Sequence, residues 1–103
     1  MKHITDKEIL SQAVETYGLE AQVDMLIEEM AELTVALNKM KRKGLLLKDQ
    51  TFVCDGGESY NNLHEEFADV QIVMAQLQPL LDPILLSNCR NFKLKRLNHR
   101  LNP

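Results

Sequence analysis

The chain has no tryptophan, and only 5% of its 103 residues are aromatic. A core built on large rings is excluded, so burial must come from aliphatic side chains and from five methionines. Two cysteines, Cys54 and Cys89, are too few for the disulfide framework of a small secreted domain. Reduced thiols in a cytoplasmic protein are the expectation. Three prolines and four glycines leave long stretches uninterrupted, which favours helices over a turn-rich strand array. No apolar run reaches membrane-spanning length and no signal peptide is visible, so neither insertion nor export is expected. The net charge of −3 argues against nucleic-acid binding as the main activity.

What is present is helical periodicity. At this length a single domain spanning 1–103 is expected. Thr5 with Glu8 three residues later reads as a capping box for a first helix ending near Tyr17-Gly18. A second helix is expected from about Glu20 to Lys43, closed by Gly44. A third should run from Ser59 or Asn61 to about Leu77, where Pro79 ends or kinks it. Asp82 and Pro83 read as N-cap and first residue of a fourth helix reaching about Leu101. The expected architecture is all-α and four-helix bundle-like.

Two acidic clusters interrupt the apolar faces: Glu28-Glu29-Met30-Ala31-Glu32 and Glu65-Glu66-Phe67-Ala68-Asp69. At about 100° per residue, Leu26, Met30, Leu33, Leu37 and Met40 form one stripe. Glu29 falls within it, Glu32 at its edge, and Glu28 points away. Leu63, Val70, Val73, Met74, Leu77 and Leu80 form the other stripe, with Glu66 inside, Asp69 at the margin and Glu65 outward. A lone Glu-Glu-x-x-Glu run reads as a solvated face. Two such clusters, each with its inward pair three residues apart, read as carboxylates gathered by a cation, because buried unpaired carboxylates are costly. With no histidine at helical spacing the ligand set Glu29, Glu32, Glu66 and Asp69 is all oxygen. That set suits Mg²⁺ or Mn²⁺ and disfavours zinc.

These motifs resemble the signature of the MazG-like all-α nucleoside triphosphate pyrophosphohydrolases. The flanking stretches QVDMLIEEMAELTVALNKMKRK, HEEFADVQIVMAQL and NFKLKRLNHRL are similar to short single-domain members, including phage-type ones. The two motifs together carry the resemblance; either alone would not. It implies a Mg²⁺-dependent hydrolase that cleaves the α–β phosphoanhydride of a nucleoside triphosphate. It also implies catalytic and metal roles for Glu29, Glu32, Glu66 and Asp69, and a homodimeric or homotetrameric assembly. Pro79 departs from the family's uninterrupted third helix.

The last segment carries Arg90, Lys93, Lys95, Arg96 and Arg100 and no acid. Lys93 shares a face with Leu86, Cys89 and Leu97, and its ammonium could reach inward along an apolar stem. Cations here also complement the helix dipole. In the family, basic residues of the last helix help hold the triphosphate, which makes Lys93 and Arg96 the substrate-binding candidates. The connection after Gly44, with Leu45-Leu46-Leu47 and Phe52-Val53, is long for a small bundle and reads either as a linker tucked on the core or as a functional loop. Two alternatives stand beside the main reading. One is a phosphoribosyl-ATP pyrophosphohydrolase-like enzyme, although Val70-Gln71 stands where such sequences carry histidine. The other is a helical interaction module whose carboxylates pair with Lys93 and Arg96 and bind no metal.

Overall fold

A computed structural model describes residues 3–46, 49 and 51–103. Among these, four helices account for the fold: α1 (Asp6–Tyr17), α2 (Leu19–Arg42), α3 (Glu58–Leu77) and α4 (Pro83–Leu101). The Thr5 hydroxyl accepts from the Glu8 amide at 3.1 Å and donates to the Glu8 carboxylate at 3.1 Å, fixing the start of α1. Gly18, at φ 86 and ψ 160, occupies backbone space closed to side-chain-bearing residues. There α1 ends and α2 begins with no intervening loop.

α2 and α3 form an antiparallel pair. Lys43 at the end of α2 donates to the Ser59 hydroxyl at the start of α3, at 2.6 Å. Next along the seam, Ala36, Met40 and Leu63 make the buried core, with Leu33, Leu45 and Tyr60 packed against it. Val70 and Val73 continue the buried face of α3 towards its other end. The connection between α2 and α3 is tucked onto this core. Leu45 packs on it, Val53 donates its amide to the Leu45 carbonyl at 3.0 Å, and Leu46 bridges Phe52. Leu47 lies outside the described residues.

The stripes differ from the expected ones in rotation. Met30 and Leu37 of α2 are exposed, as are Met74 and Leu80, while Ala36 and Gln22 are buried. The buried line of α2 therefore runs through Gln22, Glu29, Ala36 and Met40. These are spaced seven, seven and four residues apart, as a seam between nearly antiparallel helices requires. α1 leans on α2 and α3 from the side opposite the acidic residues of α3, with Ile9 and Leu10 near Ala68, Ile72 and Ala75.

The largest departure from expectation is α4. α3 ends at Leu77, a 3-10 turn covers Gln78–Leu80, and Asp82 caps α4 by accepting from the Ile84 and Leu85 amides at 3.0 and 3.1 Å. The Pro79 and Pro83 boundaries lie where expected. Yet every residue of α4 is exposed, including the face of Leu86, Lys93 and Leu97 expected to turn inward. The bundle within one chain has three helices, and the fourth projects from it. The radius of gyration is 17.4 Å, against about 13 Å for a compact domain of this length.

Candidate metal centre

Antiparallel packing of α2 on α3 brings the two acidic clusters to the same level of the seam. One carboxylate oxygen each of Glu29, Glu66 and Asp69 lies within 4.8 Å of the others. Glu29 and Glu66 are half-buried and Asp69 is exposed, so the cluster opens to solvent on the Asp69 side. Glu32 is exposed at the rim, close enough to Glu66 for their carboxyls to share a proton. Glu28 and Glu65 point outward. Helical periodicity accounts for this: Glu29 and Glu66 fall on the lines of Ala36 and Val70, and residues three positions later emerge one flank over.

The electrostatics are those of an anion cluster. Burial pushes the Glu29 carboxyl above its ordinary value, and the charges of Glu32, Asp69, Glu66 and Glu28 push it further. Glu66 is raised first by burial, then by the charge and hydrogen bonding of Glu32, then by Asp69 and Glu65. None of these influences comes from a cation. The Oε2 atoms of both Glu29 and Glu66 are shut off from solvent and have no hydrogen-bond partner. Orphaned acceptors of this kind are uncommon in folded proteins because desolvation is not returned by a bond. A hard divalent cation fits the donor set, which is entirely carboxylate oxygen with one open side.

Two residues that the periodicity argument passed over share the seam. The Oε1 atoms of Gln22 and Gln76 are also buried without a partner, and Gln22 is 1% exposed. Gln22 lies seven residues before Glu29, and Gln76 seven after Asp69. A heptad count along each helix, in place of a search for apolar stripes, would have put both on the polar side of the seam. All four orphaned side-chain atoms are oxygen acceptors.

Lys93 and Arg96 stand apart from this centre. With Leu97 and Arg100 they line a shallow basic depression on the exposed surface of α4. One chain therefore gathers the acidic residues into a cluster while carrying its basic candidates on the projecting helix. Cys54 and Cys89 are both free thiols and exposed. No helix among the described residues is long and apolar enough to cross a membrane. Comparison with protein-family models, with curated proteins and with solved structures finds no match to this chain.

Proposed function

We propose that the chain is a cytoplasmic Mg²⁺-dependent nucleoside triphosphate pyrophosphohydrolase, as its two motifs suggest. The observation that carries this reading is the convergence of Glu29, Glu66 and Asp69 oxygens within 4.8 Å, with two buried oxygens unpartnered. Glu29, Glu66 and Asp69 would hold the ion, with Glu32 completing the set from the rim. Mg²⁺, or Mn²⁺ in its place, supplies charge neutralisation for triphosphate oxygens and lowers the pKa of an attacking water. Around it the chain's own groups have distinct tasks. The apolar seam beneath Glu29 and Glu66 keeps bulk water from one side of the cluster. A carboxylate of the cluster accepts the proton of the attacking water as its oxygen bonds to the α-phosphorus. The α–β bridging oxygen leaves with pyrophosphate, and a nucleoside monophosphate remains. Lys93 and Arg96 are the cations for the triphosphate, acting in an assembly of more than one chain.

Incubating a panel of nucleoside triphosphates and phosphoribosyl-ATP with the chain and Mg²⁺ tests this directly. Monophosphate and pyrophosphate are expected from a nucleoside triphosphate. Diphosphate and orthophosphate would refute the bond assignment. Preferred turnover of phosphoribosyl-ATP would select the related enzyme class. No turnover, with no Mg²⁺ or Mn²⁺ binding by calorimetry, would leave the helical interaction module.

A further inference from the structure

A single copy of this chain is short of burial. Its accessible surface is 8676 Å², whereas a folded monomer of 11.8 kDa exposes about 5,900 Å². Much of the extra surface is on α4, where Ile84, Leu85, Phe92, Leu94, Leu97 and Leu101 are each between 46% and 73% exposed. A helix of 19 residues without tertiary contacts is marginal in water, so α4 requires a surface to lie on. The excess, roughly 2,800 Å² per chain, is the scale of an obligate subunit interface and not of a transient one.

Charge shows which surface. All fifteen acidic residues of the chain precede Pro83, and residues 1–82 carry a net charge of −8; residues 83–103 carry +5. The acidic excess is densest where Glu28, Glu32, Glu65 and Asp69 surround the open side of the metal-centre candidate. The five cations of α4 are distributed along a helix that bears no acid. Pro79 and Pro83 bracket a short 3-10 and extended connection, and α4 leaves the bundle through it. The complementary surfaces thus exist on one chain, while α4 projects away from the bundle that carries the acidic one.

We infer that the partner is a second copy of this chain, and that α4 of each copy lies across the acidic cluster of the other. Its apolar residues bury against the partner's exposed aliphatic face, and Lys93 and Arg96 reach the open side of the partner's cluster. Each site is then built from two chains, reciprocally, as a two-fold assembly requires. The inference rests on the proposed site only for its consequence in catalysis; the docking itself needs neither metal nor nucleotide.

The test uses the full chain in equal ¹⁴N- and ¹⁵N-labelled portions, unfolded together, refolded and cross-linked with a carbodiimide, which joins a lysine to a carboxylate in direct contact. Sedimentation equilibrium at micromolar concentration should give twice the mass of one chain. Mass spectrometry should find mixed-isotope peptides joining Lys93 or Lys95 to Glu28, Glu32 or Glu65. A monomeric mass would overturn the proposal, as would a dimer whose mixed-isotope links lie only elsewhere. The double substitution Phe92→Asp with Leu97→Asp should halve the sedimenting mass and remove the mixed links; a variant that remained dimeric would also count against it. The two readings fail separately. Nucleotide hydrolysis by a monomer would sustain the proposed reaction and sink the shared site. A dimer with these cross-links but no hydrolysis would do the reverse.

Discussion

Replacing Glu29 with glutamine tests the anion cluster at its most constrained member. The substitution keeps size and hydrogen-bonding capacity while removing one charge. Oxygens of Glu66 and Asp69 lie within 4.8 Å of that of Glu29. At that distance like charges repel by ~0.9 kcal/mol with water's dielectric constant and ~3.5 kcal/mol with an effective constant of 20. The cluster is open on one side, so the screened figure applies. Relief of repulsion should make Glu29→Gln about 1 kcal/mol more stable than the native chain in metal-free buffer. For a domain of this size, that raises Tm by about 4–8 °C. With Mn²⁺ at a hundred times its Kd the order reverses, because the native chain gains about 2.7 kcal/mol by mass action and the variant loses most of that gain. Thermal denaturation with and without Mn²⁺, at one fixed protein concentration, reads both effects. A metal-free Glu29→Gln that is less stable than the native chain would refute the reasoning, since the carboxylate would then be a satisfied structural acceptor. So would equal Mn²⁺ stabilisation of the two proteins.

Lowering the pH of the metal-free chain should stabilise it at first. Glu29 and Glu66 are raised above an ordinary value of 4.5, so the folded chain binds more protons than the unfolded one just above that pH. Their contribution to stability therefore falls as pH rises from about 4.5 through the raised values. Urea titrations across that range should show the decline in native protein and its reduction in Glu66→Gln. Glu28→Gln, on the outward face, should leave Mg²⁺-dependent hydrolysis nearly unchanged while Glu29→Gln and Glu66→Gln abolish it. An inactive Glu28→Gln beside an active Glu29→Gln would displace the inward assignment by one residue. Lys93→Ala or Arg96→Ala should weaken binding of a non-hydrolysable nucleotide by about 1.5–3 kcal/mol, the range of a charged hydrogen bond, with helical content unchanged by circular dichroism. Lost thermal stability at full affinity would assign that residue to packing and the helix dipole instead.

Local chemistry made the helix boundaries legible in the sequence. Thr5 with Glu8, Gly18, and Asp82 with Pro83 each act through neighbours within a few residues, and each marks a terminus where expected. The inward placement of Glu29 and Glu66, against outward Glu28 and Glu65, likewise follows from helical periodicity alone. Which stripe became the seam did not follow, because Ala36 and Gln22 are buried by the approach of α3 and their own hydropathy does not demand it. Met30 and Leu37 are apolar enough to be buried, yet α3 lies along the other line of α2. Convergence of the two clusters required the antiparallel register set by Lys43 on Ser59 and Met40 on Leu63. The position of α4 was least legible of all. Its sequence specifies a capped, basic, amphipathic helix, but helix formation is local and docking is not. The connection through Gln78–Leu80 and Asp82 carries α4 away from its own bundle, a direction that no periodicity within α4 encodes.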